Sequence, residues 1–272
     1  MRTINTIALT ATLTAATASG VTAGDLHSAD FILALENDQI VTGAVDSGSG
    51  EIVFPARVKS AILGAEGFPN FTNNPGFNAQ LGSLNPGMLI GFSILSAPRV
   101  WDPIAGDFQT LADETITVRA SGQNFDAPTT DQRVEGIVFG QATLDAAASF
   151  HHHLQYLVNG GQPPAIDGLF LLEMELWTTA SGIEPTKPLF IVFAQGDAAA
   201  DLPDAIAYVE DTLIGPACPG DFNDDGSLNF FDLSGFLSAF NSQDLKADLN
   251  GDGVLNFFDL SEFLSRFSQG CP

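Results

Sequence analysis

The chain has 272 residues, an isoelectric point near 4.1 and a formal net charge of −24 at pH 7, with 33 acidic residues against nine lysines and arginines. Because a nucleic-acid-binding surface needs clustered basic side chains to replace phosphate counterions, this composition excludes nucleic acid as a partner. After residue 23 no stretch approaches the ~20 continuous apolar residues of a transmembrane helix, so we expect no membrane-spanning segment.

Residues 1–23 are expected to form a secretory signal peptide. Arg2 is the only charge, residues 4–18 are apolar and rich in Thr and Ala, and Val-Thr-Ala ending at Ala23 is a small-residue cleavage site. A second such site ends at Ala18. The apolar run is too short and too rich in threonine for a membrane anchor. The sequence therefore predicts a secreted or cell-surface protein.

Residues 24–213 are predicted to form an antiparallel β-sandwich. Short β-prone runs alternate with turns of Gly, Pro and Asn, without a strand–helix–strand rhythm. The predicted strands are 31–41, 51–58, 88–95, 114–120, 135–139, 150–158, 168–178 and 188–194. One helix is predicted, over 203–213, with Ile206, Val209 and Leu213 on one face, and residues 214–217 are the expected linker.

All four histidines fall at two places in this domain, His27 and residues 151–153. Because alternate side chains of a strand share a face, His151 and His153 should point together, away from the core. Two imidazoles at this spacing can bind zinc or copper, and His27 or Asp30 could complete a zinc site. The alternative is a polar strand face with one buried, hydrogen-bonded histidine.

The same His-x-His strand, followed by the strand that begins at Gly168, resembles part of some bacterial surface-anchored domains. Their earlier His-x-Asp segment would correspond to residues 27–30, which are one residue longer. The resemblance implies surface attachment but no defined activity.

Catalytic motifs are scarce in the domain. Glu173 and Glu175 alternate on one predicted strand and could suggest a glycosidase acid/base pair, but this spacing is typical of a solvated strand face. The sequence contains no G-x-S-x-G and no H-E-x-x-H. Enzymatic activity stays undecided, and a non-enzymatic role is preferred.

Two copies of one twelve-residue loop, 221–232 and 248–259, follow the linker. Each carries oxygen-bearing side chains at positions 1, 3, 5, 9 and 12 and a glycine at position 6, and position 7 offers its carbonyl, which is the layout of a Ca²⁺ loop. Two calcium ions are therefore expected, and the alternative is a pair of solvated acidic turns. The expected ligands are Asp221, Asn223, Asp225, Ser227, Asn229 and Asp232, and Asp248, Asn250, Asp252, Val254, Asn256 and Asp259.

Each loop is followed by a short amphipathic helix, so each unit is half of an EF-hand. The apolar positions recur at i, i+3, i+4 and i+7, and the two stripes should bury against each other in a small all-α domain. The stripes are Leu233, Phe236, Leu237 and Phe240, and Leu260, Phe263, Leu264 and Phe267.

This loop–helix repeat over 218–272 resembles the type I dockerin domain, including Asp at position 12. The Cys-Pro dipeptides at both ends resemble the variant at the C-termini of secreted planctomycete-type proteins. The resemblance implies calcium binding and an extracellular anchoring partner, cohesin-like or other. Phe-Phe stands at positions 10 and 11, where cellulosomal dockerins carry small hydroxyl residues, so binding to a conventional cohesin is not implied.

Cys218 and Cys271 are the only cysteines and bracket the repeat. In an oxidising compartment we expect them to form a disulfide bond. The alternatives are two free thiols or a covalent attachment point at Cys271.

Each Phe-Phe pair is predicted to have one partly exposed ring, Phe231 in the first copy and Phe258 in the second. Phe230 is placed on the buried stripe, whereas Phe231 lies about 100° away over small residues. The two exposed rings are expected to contact the partner. The alternative is that the linker or the larger domain covers one of them.

Together these features predict an exported surface or matrix protein attached to an extracellular partner by a calcium-dependent module. One alternative is an enzyme or accessory carbohydrate-binding component of polysaccharide degradation, docked in the same way, although two tryptophans, Trp101 and Trp177, are few for that role. The other alternative is a metal-binding domain built on His151 and His153.

Overall fold

The structure, a computed structural model, describes residues 26–215, 220–223, 228–250 and 253–270. The expected signal peptide, both cysteines and part of the expected linker lie outside these ranges, as do the predicted calcium ligands Asp225, Ser227 and Asp252. Predictions about those residues stay predictions.

The described chain is mainly β, as predicted, with helices concentrated at the C-terminal end. The strands are β1 (Phe31–Glu36), β2 (Gln39–Val45), β3 (Ile52–Val53), β4 (Val58–Ile62), β5 (Phe71–Thr72), β6 (Gly76–Ala79), β7 (Leu89–Ile94), β8 (Arg99–Asp102), β9 (Asp107–Leu111), β10 (Ile116–Ala120), β11 (Gln123–Asp126), β12 (Val134–Gln141), β13 (Phe150–His153), β14 (Gln155–Val158), β15 (Gly168–Thr178) and β16 (Leu189–Gln195). The α-helices are α1 (Leu202–Tyr208), α2 (Phe230–Asn241) and α3 (Phe257–Gln269).

The strands form three sheets. One has the order β13-β6-β1-β2-β3, a second β11-β10-β14-β5, and the third β12-β7-β15-β16-β4, with β8 and β9 added beside β15. Purely antiparallel pairing was the wrong expectation, because β1 pairs with β6, and β4 with β16, in parallel. In both cases several strands intervene along the chain, so the returning strand can run in the same direction as its neighbour.

The predicted strand 150–158 is divided between two sheets. β13 ends at His153 and joins the first sheet, whereas β14 begins at Gln155 and joins the second. Leu154, between them, is fully buried. A buried residue at the break lets one continuous β-prone run change sheets without exposing its apolar side chains.

The main core takes side chains from all three sheets, among them Phe77, Phe92, Tyr156 and Phe193. A second cluster lies between α1 and the β15–β16 strands. The helix predicted over 203–213 is α1, continued by a single π-helical segment, Val209–Ile214. Val209 is buried as expected, whereas Leu213 is 37% exposed because the wider π turn rotates it outward.

Helices α2 and α3 pack through two stacked rings. The Phe236 and Phe263 centroids are 4.4 Å apart with an interplanar angle of 7°, and both side chains are buried. The predicted stripes are too wide by one residue each, since Leu237 and Leu264 are about half exposed. None of the helices in the described ranges is long and apolar enough to cross a bilayer.

Candidate functional site

Three neighbouring strands place the histidine cluster. β6 lies between β1 and β13, and its register pairs Phe77 with Phe31 on one side and Gly76 with His153 on the other. Asp30 directly precedes β1 and is therefore level with Gly76 and His153. The turn before β1 carries His27, whose carbonyl accepts a hydrogen bond from the Asp30 N–H at 3.0 Å.

Four potential metal ligands converge on one face of this sheet. The donor atoms of His27, Asp30, His151 and His153 all lie within 4.8 Å of one another. His151 Nε2 is 3.0 Å from His153 Nε2 and 3.4 Å from Asp30 Oδ2, and His27 Nδ1 is also 3.4 Å from that oxygen. The structure thus brings together the three histidines named from the sequence, and Asp30 joins His27 as a fourth potential ligand where the sequence offered the two as alternatives.

Asp30 is fully buried, and its two carboxylate oxygens differ. Oδ1 accepts a hydrogen bond from the Gly76 N–H at 2.9 Å. Oδ2 is buried and has no hydrogen-bond partner, and it faces the imidazoles. A buried carboxylate oxygen in this state favours a nearby cation.

His153 is held in position by backbone. Its Nδ1 lies 2.7 Å from the carbonyl oxygen of Asn73, which directs Nε2 toward the cluster. Gly76 leaves room for the ring, since a Cβ at that position would lie 2.4 Å from His153 Cε1. Nothing in the local sequence singles out Gly76 or Asn73, because their role depends on the register of β6 against β13.

His152 does not belong to the cluster. It points to the other face, half-buried against the Phe150 ring at a centroid distance of 4.7 Å. Burial lowers the pKa of His152, and a hydrogen bond with the Gln141 backbone opposes this shift in part. His152 is therefore engaged on the opposite face of the strand from the cluster.

The two glutamates considered as a glycosidase pair, Glu173 and Glu175, make the ordinary contacts expected of a polar strand face. Glu173 accepts a hydrogen bond from Ser96 Oγ at 2.6 Å, and Glu175 accepts one from Arg133 at 2.6 Å. Arg133 also contacts Glu135. These partners fit a polar strand face.

The two C-terminal loops end in the same local structure. Asn229 and Asn256, at position 9, are N-caps whose side chains accept the N–H of Phe231 and Phe258 at 2.7 and 2.8 Å. Each helix begins with a capping box that its position-12 aspartate completes.

The position-12 aspartates are fully buried. Asp232 accepts hydrogen bonds from the N–H groups of Asn229 at 2.7 Å and Asn223 at 3.2 Å, so it ties the beginning of the loop to its end. Asp259 does the same in the second loop, with Asn256 at 2.8 Å and Leu249 at 3.1 Å. The Asn256 N–H, followed by the other backbone donors, holds the pKa of Asp259 below its ordinary value.

Asp248, at position 1 of the second loop, has one free oxygen. Its Oδ2 accepts the N–H of Gly253, at position 6, at 2.7 Å. Its Oδ1 is buried and has no hydrogen-bond partner among the residues that the structure describes. The carboxylate is therefore oriented with one oxygen left for a cation.

Both rings of each Phe-Phe pair are exposed. Phe231 and Phe258 are 68% exposed, but Phe230 and Phe257 are 71% exposed, so the prediction that the first ring of a pair joins the buried stripe is wrong. In each helix the first residue that packs against the buried Phe236–Phe263 cluster is Leu233 or Leu260, one turn after the exposed ring.

No family model matches the chain, and no curated protein matches it. Among solved structures, the CooA pilin subunit from enterotoxigenic Escherichia coli is similar over 55% of this chain and 95% of its own, at 8% identity and a TM-score of 0.26. A family 123 glycoside hydrolase from Clostridium perfringens is similar over 53% of this chain but only 23% of its own, at 7% identity and a TM-score of 0.24. At these TM-scores neither likeness supports a conclusion about fold or function.

Proposed function

We propose that the chain is an exported surface or matrix protein whose β-sandwich is attached to an extracellular partner by a calcium-dependent, dockerin-like module, residues 218–272. The observation that carries this proposal is the Asp248 carboxylate, which has one oxygen fixed by the Gly253 N–H and the other buried without a partner. A hard cation such as Ca²⁺ takes oxygen ligands of this kind.

The buried position-12 aspartates support the proposal from the other end of each loop. Asp232 and Asp259 each place a buried carboxylate against their own loop. Backbone N–H groups use only part of the hydrogen-bond acceptor capacity of each carboxylate. A calcium ion bound between positions 1 and 12 would neutralise these charges. When bound, Ca²⁺ would supply the attraction that keeps each acidic loop closed on its helix.

The exposed phenylalanines supply the surface for the partner. Phe230 and Phe231, and Phe257 and Phe258, form two similar apolar pairs at the N-terminal ends of α2 and α3. Exposed aromatic pairs of this size are costly in water and typical of interaction sites. The contact therefore extends to both rings of each pair rather than to Phe231 and Phe258 alone.

Hydrogen exchange of the full chain tests the calcium requirement. Chelation of Ca²⁺ should remove amide protection from peptides in 228–250 and 253–270 and leave 168–195 unchanged, because only the former depend on the loops. Asp259→Asn should raise the calcium concentration needed for protection. Asp244→Asn is the matched control, since Asp244 is an exposed acid that caps the turn Leu245–Ala247 outside both loops. Protection that survives chelation would contradict the proposal.

A capture experiment tests the attachment. The immobilised chain should retain one defined protein from the exported fraction of its source in calcium and release it on chelation. Replacing all four exposed rings, Phe230, Phe231, Phe257 and Phe258, by Ser should abolish retention while calcium-dependent protection persists. Leu245→Ser is the control, because Leu245 is 66% exposed but belongs to neither pair. Retention by the variant that lacks all four rings would refute the proposed surface.

A further inference from the structure

We propose that His27, Asp30, His151 and His153 form a second, chemically distinct metal site in the larger domain, built for Zn²⁺. This site goes beyond the proposed attachment function, because it shares no residue with the calcium loops. Its ligand set is three imidazole nitrogens and one carboxylate oxygen.

The separations between donors are those of ligands around one ion. With Zn–N and Zn–O bonds of about 2.0–2.2 Å, neighbouring ligands of a tetrahedral ion lie about 3.3 Å apart. Three contacts here measure 3.0, 3.4 and 3.4 Å, and they link the four residues in the order His153, His151, Asp30 and His27. The donor atoms of the remaining pairs lie within 4.8 Å of one another.

The two contacts of Asp30 Oδ2, with His27 and His151, are not hydrogen bonds. This oxygen is buried and lacks a hydrogen-bond partner within the described residues, although two imidazole nitrogens lie 3.4 Å away. That distance is longer than an ordinary N–H···O bond. A carboxylate oxygen and two nitrogens that face a common point without bonding to one another are arranged as ligands are.

Neighbouring groups orient the ligands as they do in known zinc sites. The Asn73 carbonyl accepts from His153 Nδ1, so the proton is on Nδ1 and the Nε2 lone pair, now 3.0 Å from His151 Nε2, can coordinate a metal. The Gly76 N–H fixes Asp30 through its other oxygen. Lys59 Nζ donates to the Ser28 carbonyl at 2.7 Å and so holds the turn that carries His27. The site thus joins the segment before β1 to β13, the strand at the edge of the sheet.

The donor set selects the class of metal. Ca²⁺ and Mg²⁺ require six or more oxygen ligands and would find one carboxylate here. Imidazole nitrogens with a single carboxylate favour zinc or copper, and four ligands at tetrahedral spacing favour zinc, since Cu²⁺ prefers a tetragonal arrangement.

Metal titration of the full chain tests the site. The protein is produced without a histidine tag, stripped of transition metals and kept in excess Ca²⁺, so that the calcium loops cannot take up zinc. Competition with a chromophoric chelator should give one Zn²⁺ per chain. Substitution with Co²⁺ should give the intense visible absorption of a four-coordinate ion. Binding at no fixed stoichiometry, or a six-coordinate cobalt spectrum, would overturn the proposal.

Three variants distinguish the cluster from adventitious binding to the histidine-rich strand. Replacing His151 and His153 together by Ala should weaken zinc binding by at least about 100-fold, and replacing Asp30 by Asn by at least about 10-fold. Loss of even a hydrogen-bond partner of a metal ligand typically weakens metal binding by about 10–100-fold. His152→Gln is the matched control, because it removes the third histidine of the same strand, which points to the other face, and should bind as the native chain does.

Thermal unfolding separates loss of ligands from loss of fold. Zinc should raise the melting temperature of the native chain and of His152→Gln, but not that of the double variant, while the metal-free melting temperature of the double variant stays near the native one. If the double variant does not fold, Asp30→Asn decides the question. Equal zinc affinity of Asp30→Asn and the native chain, or an equal loss in His152→Gln and the double variant, would overturn the site.

Discussion

The larger β region and the C-terminal loop–helix region are stabilised by different means. The first encloses an extended apolar core to which all three sheets contribute. Within the described part of the second, the fully buried apolar side chains are Phe236, Ala247 and Phe263. So small a core leaves little stability in reserve, and we expect the capping boxes and loop carboxylates to supply much of the rest. The comparison teaches that the larger region can lose one core contact and stay folded, whereas the smaller region depends on each of its few contacts.

The strongest test of this contrast is one large-to-small substitution in each region. Phe263→Ala removes half of the stacked ring pair and should cost about 3–5 kcal/mol of unfolding free energy, which is enough to abolish cooperative folding of α2 and α3. Phe193→Ala, in the main core, should cost a similar amount and leave the β region folded. Hydrogen exchange resolved by peptide measures both. A Phe263→Ala chain with native protection in 228–250 would show that the small region has another source of stability.

The predicted disulfide bond should make the next largest contribution to the stability of the C-terminal region. Gly220 packs against the backbone of Phe267, since a Cβ on Gly220 would lie 2.7 Å from Phe267 Cα, so the described ends of the region meet. Replacing Cys218 by Ser should lower the stability of this region by about 2–4 kcal/mol, because the unfolded chain is no longer closed. Calcium-loaded thermal unfolding measures the change, and the transition of the β region is the internal control. Two free thiols in non-reducing mass spectrometry would rule the bond out.

Substitution of one glycine in the β region should have an intermediate effect on the free energy of unfolding. In Gly76→Ala the new Cβ would meet the His153 ring at 2.4 Å, so the ring or β6 must shift, at a cost of about 1–3 kcal/mol. Gly48→Ala is the matched control, because its nearest neighbour is the Asp46 carboxylate at 3.4 Å. Denaturant unfolding should separate the two variants, and equal stability would mean that the ring moves freely.

Removal of one surface ion pair of the β region should have the smallest effect on the free energy of unfolding. Hydrogen bonds from Arg133 and then Ser93 lower the pKa of Glu135, so its contribution is present above the unfolded pKa of about 4.3 and is lost as pH falls through the lower folded value. Glu135→Gln should cost about 0.5 kcal/mol at pH 7 and nothing once both states are protonated. Denaturant unfolding at both pH values measures this, with Glu210→Gln as an exposed control. A cost that persists in acid would assign the effect to packing.

The local sequence pattern predicted many of the secondary-structure elements. The predictions were wrong where contacts between residues far apart in the sequence determine the structure. The strand predicted over 168–178 is β15 to the residue, because its apolar run is bounded by clear turn signals. The parallel β1–β6 pair was not foreseeable, since register between strands far apart in sequence is set by the whole sheet. His151 and His153 could be identified because they alternate on one strand, whereas the role of Gly76 depends on the pairing of β6 with β13. Phe230 was misplaced because helical periodicity does not reveal where the partner helix ends.

The parallel pairing of β1 with β6 also determines when the histidine cluster can exist. His27 and His151 are more than a hundred residues apart in the chain, and they meet only after β6 has joined β1 on one side and β13 on the other. Closing so long a loop is slow and belongs to the late steps of folding. If the chain crosses a membrane unfolded, as the predicted signal peptide implies, it cannot carry a metal in this site during transport. The site would have to bind its metal from the surroundings after export. The fraction of sites occupied would then depend on the metal concentration of the medium rather than on that of the cell.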